Sequence, residues 1–259
     1  MGQHDPSIRD EALALLRRGL SNRAVAERLN VPRGTVGWWL SEDRRKRSVR
    51  FERPTDCPIC TRRPFDAPAY AYLLGLYLGD GHITSKRKQH HLSIFCTATW
   101  PALIDAAETA MRRVMAMPRV SRRIRQGCAE VKSYTKHWTC MFPQHGPGKK
   151  HERKIALEPW QQEIVDAHAW EFVRGLIHSD GCRTMNWTTR VVNGEHKRYE
   201  YPRYWFTNVS DDIRQLYTDT LDKLGIEWTH CTRNGKPYNI SVARKASVAL
   251  MDLHVGPKS

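Results

Sequence analysis

Long apolar runs are missing from this chain of 259 residues. Without a stretch of about 18 consecutive apolar side chains a transmembrane helix is excluded, and the start of the chain carries no signal-peptide pattern. The expectation is a soluble, cytoplasmic protein with no membrane partner. Cysteine is sparse and odd in number, seven in all, which argues against a disulfide framework and for reduced thiols. Acid is in short supply: 27 Asp and Glu stand against 42 Lys and Arg, a formal net charge of +15. What is present in quantity is apolar residue, at 40%, enough to bury one large core or two small ones with an appendage.

The positive charge is concentrated. Arg119-Val120-Ser121-Arg122-Arg123-Ile124-Arg125, the nearby Lys132 and Lys136, and Lys149-Lys150-His151-Glu152-Arg153-Lys154 hold much of it. A dense cationic surface attracts phosphate backbones. Alternate residues of a strand share a face, so Arg123, Arg125, Lys132 and Lys136 could line one side of a sheet lying in a major groove. Arg119 and Arg122 join them as candidate DNA contacts.

One pattern occurs twice, as Leu73-Leu74-Gly75-Leu76-Tyr77-Leu78-Gly79-Asp80-Gly81 and as Val173-Arg174-Gly175-Leu176-Ile177-His178-Ser179-Asp180-Gly181. Each copy reads as an apolar helix whose small residues lie four apart, Gly75 with Gly79 and Gly175 with Ser179, on one face. Two such faces can cross at short range because no side chain holds the backbones apart. Each run ends in Asp-Gly, where glycine is expected to stop the helix by adopting the left-handed conformation. Pairing the helices would set Asp80 beside Asp180. Adjacent carboxylates repel unless a proton or cation lies between them, and hard oxygen ligands suit Mg²⁺. Metal-dependent phosphodiester hydrolysis is the chemistry that follows.

The segments after each copy also correspond. Residues 92–97 and 204–207 read as strands. Thr99 is the expected cap of a helix that opens at Pro101 and carries Leu103, Ile104, Ala107, Met111 and Val114 on its apolar face. Ser210 is the expected cap of a helix carrying Ile213, Leu216, Tyr217, Leu221 and Leu224 before Gly225. Residues 131–137 and 240–245 each read as a strand running into a short helix. The chain therefore contains an internal duplication with inserts.

These residues resemble the LAGLIDADG homing endonucleases, whose name spells the motif, over roughly residues 68 to 258. The resemblance implies an α+β fold: a pseudo-twofold duplicated ααββαββα domain with saddle-shaped antiparallel sheets over DNA, repeat 1 at 68–160 and repeat 2 at 161–259. It implies a sequence-specific endonuclease for double-stranded DNA, with the last acid of each motif, Asp80 and Asp180, binding Mg²⁺. It also implies a monomer acting as a pseudo-dimer, nucleoid-associated when bound to DNA. Aligning the repeats puts the family's basic residue near the metal at Lys136 in the first half and at Arg244 or Lys245 in the second, where it would stabilise charge on the scissile phosphate. Both motifs lack the acid that the family name places two positions before the last one. Two other functions use the same fold: a DNA-binding transcription regulator that does not cleave, and an RNA-processing protein of maturase type. The retained acids favour cleavage, since a protein that only binds gains nothing from two carboxylates facing a phosphate. A His-metal nuclease of the HNH class is disfavoured, because the twelve histidines lack its paired His and Asn context.

Residues 1–43 read as a separate all-α module. Ile8, Ala12, Leu15 and Leu16 mark one amphipathic helix, Ser21-Asn22 opens a second carrying Val25, Ala26 and Leu29, and Asn30-Val31-Pro32 turns into a third beginning Arg33-Gly34-Thr35-Val36-Gly37-Trp38-Trp39-Leu40. The arrangement resembles the helix-turn-helix domains of resolvases and transposases, whose third helix enters the major groove. Arg33, Gly34, Thr35, Gly37 and Trp38 are its groove-facing candidates, and Val36 with either Trp39 or Leu40 is expected in the core. Residues 44–67 read as a basic linker in which Arg44 and Arg45 track phosphates.

That linker contains Cys57-Pro58-Ile59-Cys60, half of a zinc site. No second Cys-x-x-Cys exists in the sequence. Cys128, Cys140, His145 and His151 are the candidates to complete a Zn²⁺ site, with Cys140 and His145 foremost. Cys96, Cys182 and Cys231 are read as small packing residues.

Overall fold

A computed structural model of the chain describes residues 5–47, 57–86, 89–115, 119–233, 235–256 and 258, with the side chains of 45–47, 89 and 233 outside the description. The chain divides into two compact units, Met1–Thr55 and Asp56–Ser259. Among the described residues no helix is long and apolar enough to cross a membrane.

In the first unit Asp5 caps α1 (Pro6–Arg17), its carboxylate accepting from the Ser7 amide at 2.9 Å. Ser21 caps α2 (Asn22–Leu29) by accepting from the Ala24 amide at 3.2 Å. Asn30 closes α2 in the left-handed region at φ 51°, so the chain reverses within three residues into α3 (Arg33–Arg47). Ala12, Leu15, Val25, Ala26, Val36 and Trp39 form a core of their own; of the two core candidates on α3, Trp39 is buried and Leu40 only half-buried. The third helix runs past Leu40 through much of the basic stretch read as linker. Its acids explain why: Glu42 pairs with Arg9 at 2.9 Å and Asp43 with Arg17 at 3.2 Å, fastening this extension to α1.

The second unit repeats one order of elements. The first copy is α4 (Pro58–Thr61), α5 (Ala67–Asp80), β1 (Gly81–Lys86), β2 (Gln89–Thr97), α6 (Pro101–Val114), β3 (Arg119–Arg125), β4 (Cys128–Tyr134) and α7 (Trp138–Met141). The second is α8 (Pro159–Ala167), α9 (Ala169–Asp180), β5 (Gly181–Val192), β6 (Glu195–Thr207), α10 (Asp211–Lys223), β7 (Thr229–Arg233), β8 (Lys236–Val242) and α11 (Lys245–His254). Each is ααββαββα, and each builds a four-stranded antiparallel sheet with the same strand order, β1-β2-β4-β3 and β5-β6-β8-β7. The fold is α+β and duplicated.

Both copies share one core. Residues 70 to 78 of α5 are buried without a break, as a helix surrounded on all sides requires. Phe142, just after α7, stacks on Tyr77 with ring centroids 4.4 Å apart and also on Tyr70 and Trp138. The Tyr70 hydroxyl donates to the Met141 carbonyl at 2.6 Å and accepts from the Gln161 amide on α8 at 2.6 Å. A buried hydroxyl with both capacities used costs little to bury, and this one joins the first copy to the second.

Two local expectations are corrected. Ser210 caps α10, but Thr99 does not cap α6: the Trp100 amide bonds to the Thr97 carbonyl at 3.1 Å, a tight turn that leaves Trp100 at the cap position. Gly81 and Gly181 end their helices in extended conformation, at φ −85° and −106°, rather than left-handed. Their reason for being glycine is steric. A Cβ on Gly81 would lie 2.4 Å from the Cα of Tyr77, and one on Gly181 2.8 Å from the Cα of Ile177.

Candidate active site

The motif helices α5 and α9 meet backbone to backbone. A Cβ on Gly175 would stand 2.2 Å from the Tyr72 carbonyl oxygen, and one on Gly75 2.6 Å from that of Phe172. One turn further along, a Cβ on Gly79 would meet the Ser179 hydroxyl and come within 3.0 Å of an Asp180 carboxylate oxygen. The four-residue spacing of small side chains thus brings Asp80 and Asp180 to the same end of the helix pair.

Their environment is electrostatically loaded. The Asp180 carboxyl is pushed up to about 6, first by burial and then by the Asp80 carboxylate beside it. Burial raises Asp80 as well, against the pull of Lys258 and Lys150. Asp80 keeps an exposed side, whereas half-buried Asp180 accepts a hydrogen bond from the Asn208 amide at 2.6 Å. By strand correspondence Asn208, which follows β6, matches Ala98, which follows β2, so the first copy has no amide in that place.

Two lysines serve this end of the helices. Lys150 Nζ donates to the carbonyls of Tyr77, Leu78 and Gly79 at 2.6, 2.9 and 2.6 Å, satisfying the last turn of α5. Burial lowers its ammonium to about 8, with Asp180 and Asp80 opposing that fall. Lys258 Nζ donates to the Ser179 carbonyl on α9 at 2.9 Å, the same service in the second copy. Arg153 holds the loop that delivers Lys150, donating to the carbonyls of Gln144, Gly146 and Gly148 at 3.1, 2.9 and 3.0 Å. Lys150 and Arg153, part of a run read as phosphate-facing, therefore turn inward. The basic residues beside the acids are Lys150 and Lys258, not Lys136, Arg244 or Lys245. Lys136 is exposed in the turn after β4, Arg244 lies exposed 3.3 Å from Glu227, and Lys245 is exposed at the start of α11.

Strand register sorts the remaining basic residues. Lys132 lies opposite Ser121, Glu130 opposite Arg123 and Tyr134 opposite Arg119, so Arg119, Arg123, Arg125 and Lys132 share the face of the first sheet away from the core. Arg119 and Arg123 have no carboxylate partner among the described residues. Lys132 and Arg125 are steadied by buried Glu130, at 2.9 and 3.3 Å. Arg122 points the other way and pairs with Asp105, at 2.7 Å, and Glu108 of α6, so it is not on the open face. On the second sheet the corresponding face carries Arg203, which lies over the rings of Trp205 at 4.7 Å and Tyr201 at 5.4 Å. The β5–β6 hairpin continues beyond it, closed by Asn193 at φ 54° and Gly194 at φ 82°, and exposes Met185, Trp187 and Tyr199. The Asn-Gly pair is the sequence signal that could have revealed this hairpin.

Of the other candidates, Arg33 and Arg44 are exposed on α3, Thr35 is half-buried and Trp38 is 60% exposed, while the side chain of Arg45 lies outside the described residues. Cys57, Cys60 and Cys140 converge as expected, but the histidine that joins them is His137; His145 does not. Inside the second motif, buried His178 is hydrogen-bonded through Nδ1 to the Tyr72 hydroxyl at 2.9 Å, and burial holds it down to about 4, so it is a neutral packing residue.

The raised acid implies a trade of stability for charge. Asp180→Asn should stabilise the protein in the absence of divalent metal. Raising a carboxyl from near 3.9 to about 6 corresponds to roughly 3 kcal/mol, which partial solvation reduces to about 1–2 kcal/mol. Because the folded state holds the proton more tightly, wild-type stability falls as pH rises through about 6. Denaturant melts should therefore show the variant's advantage in full at pH 7.5 and shrunken at pH 4.5. Equal midpoints at pH 7.5 would show that Asp180 sits unstrained.

No protein-family model and no curated protein matches the chain. Among solved structures it is similar to the homing endonuclease I-DmoI in complex with DNA and Mn, at 12% identity over 73% of this chain and 97% of that one, with a TM-score of 0.48. It is also similar to the N-terminal LAGLIDADG domain of DUF199/WhiA, at 11% identity over 79% of this chain and 88% of that one, TM-score 0.46. The homing endonuclease I-WcaI bound to its DNA recognition sequence is similar at 14% identity over 73% and 81%, TM-score 0.44.

Proposed function

We propose that this protein is a sequence-specific endonuclease of homing type that hydrolyses double-stranded DNA with a divalent metal, Mg²⁺, at Asp80 and Asp180. The observation that carries this reading is the acid pair: two carboxylates, each contributed by its own copy of the repeat and each raised by burial, held at one end of a glycine-lined helix contact. That donor set fits a hard cation, which would relieve the repulsion that now raises Asp180. A bound Mg²⁺ would stabilise charge on phosphoryl oxygens and lower the pKa of coordinated water.

The protein's own residues prepare the site. Asn208 fixes one oxygen of Asp180, while Lys150 and Lys258 satisfy the carbonyls of the helix ends. Neither lysine makes an ion pair with either carboxylate among the described residues, so carboxylate oxygens stay available to a metal, and the positive charge nearby favours a phosphate. The open faces of the two sheets supply phosphate and groove contacts, Arg119, Arg123, Arg125 and Lys132 on one and Arg203 with its aromatic neighbours on the other. The first unit adds a helix-turn-helix contact through Arg33, Thr35 and Trp38, with Arg44 and Arg45 on phosphates. We read the molecule as a monomer in which the two copies replace the two subunits of a dimer.

Incubating a plasmid library of random inserts with Mg²⁺, and in parallel with EDTA, tests the reading. New ends should accumulate at one sequence class and only with metal. Enrichment of that class by binding without any scission would make the protein a regulator, and preference for structured RNA over duplex DNA would move it to RNA processing. The double variant Arg119→Ala/Arg123→Ala should bind duplex DNA more weakly and lower the slope of log affinity against log salt by about 2, since each phosphate contact contributes roughly 0.9. An unchanged slope in fluorescence anisotropy would take the first sheet's open face away from DNA.

A further inference from the structure

Outside the acid pair, one cluster of side chains has no part in the proposed reaction. Cys57 caps and Cys60 lies in the short α4, and His137 caps and Cys140 lies in α7; the ligand atoms of these four residues lie within 4.8 Å of one another. The two halves have the same construction. Cys57 occupies the cap position of a one-turn helix with Cys60 three residues on, and His137 occupies the cap position of another with Cys140 three residues on. The missing half of the Cys-x-x-Cys motif is thus a His-x-x-Cys with identical spacing.

The separations are those of ligands around one ion. Cys60 Sγ stands 3.7 Å from Cys140 Sγ and 3.5 Å from His137 Nδ1, and Cys140 Sγ stands 3.7 Å from the same nitrogen. In a tetrahedron with metal–sulfur bonds of about 2.3 Å and a metal–nitrogen bond of about 2.05 Å, the S–S edge is about 3.75 Å and the S–N edge about 3.55 Å. The observed edges match to within about 0.2 Å, the tolerance that a metal site allows. Those three edges form one face of such a tetrahedron, and Cys57, within 4.8 Å of each of the other ligand atoms, supplies the fourth ligand. Three thiols and one imidazole select zinc over the hard cations suited to carboxylates.

We propose that Cys57, Cys60, His137 and Cys140 bind one structural Zn²⁺. All four positions are filled by protein, so the site is closed and holds no catalytic water. Its place in the fold gives it work. It ties the segment entering α5 to α7, and α7 ends at Met141 and is followed by Phe142, which together brace Tyr70 and Tyr77 of the motif helix. This site is independent of the acid pair, and its test reads neither DNA nor cleavage.

The whole 259-residue chain purified without chelator should contain about one equivalent of zinc by elemental analysis. Stripped protein should take up one equivalent of Co²⁺ with the intense visible bands of tetrahedral thiolate coordination. Cys60 is exposed, so Cys60→Ser leaves the core intact. That variant should hold zinc at least roughly 100-fold more weakly, because outer-shell changes alone cost 10- to 100-fold. It should also lose the rise in melting temperature that zinc gives the stripped wild type. His145→Gln serves as the control and should keep zinc at wild-type affinity. Wild-type protein free of zinc even when prepared in its presence, a Cys60–Cys140 disulfide found in its place, or undiminished zinc affinity in Cys60→Ser would each overturn the proposal.

Discussion

Asp80→Asn and Asp180→Asn should each reduce double-strand cleavage by at least about 1000-fold while leaving DNA affinity within about tenfold. On the proposed function each change takes a charged ligand from the metal, and with it several kcal/mol of transition-state stabilisation, yet leaves in place the arginines and lysines proposed to meet phosphates. Single-turnover cleavage and anisotropy on the same duplex separate the two quantities. The Asp180 variant should also be the more stable protein, as its raised carboxyl requires, so loss of activity cannot be ascribed to unfolding. Wild-type cutting by either variant would remove the acid pair from the chemistry.

The second large effect falls on folding. Gly175→Ala should destabilise the second unit by about 3 kcal/mol or more, although alanine is worth about 1 kcal/mol over glycine in a helix. The added methyl would lie 2.2 Å from the Tyr72 carbonyl oxygen and 3.0 Å from the Cα of Gly75. Both are backbone atoms that cannot rotate away, so the two helices must separate and loosen the core around them. Gly34→Ala on α3 is the counterpart: nothing lies within 4 Å of its added Cβ, so the propensity gain should survive. Denaturant midpoints that fail to separate these two variants would mean that the helix contact is looser than described.

The helix contact could be read in the sequence because its cause is local. Glycines four apart declare a close approach, and the acid that ends each run goes wherever the helix goes. The strand, helix and later strand after each motif were also legible, because their periodicities and the Ser210 cap are short-range signals, whereas the strand that follows each motif directly, β1 or β5, was not read. Lys150, Lys258 and Asn208 were not. They reach the site from loops and from beyond α11, where no periodicity marks a residue that will bond a carbonyl or carboxylate of a distant segment. Arg122 shows another limit. Adjacent arginines in a strand face opposite ways, and only the register, with Arg122 opposite Val131, decides which one meets α6. His137 was hidden for a different reason: its spacing to Cys140 is that of a metal half-site, but only the fold shows that the two halves meet.

Whether the two copies of the repeat bring their acids together to cut DNA with a metal is decided by following strand scission of the selected duplex. Wild-type protein at saturating DNA should cut both strands at a rate that rises with Mg²⁺ to a plateau and falls by at least about 1000-fold in EDTA, while binding persists. A duplex that is tightly bound yet remains whole at every concentration of Mg²⁺ or Mn²⁺, or one that is cut equally well in EDTA, would contradict that reading.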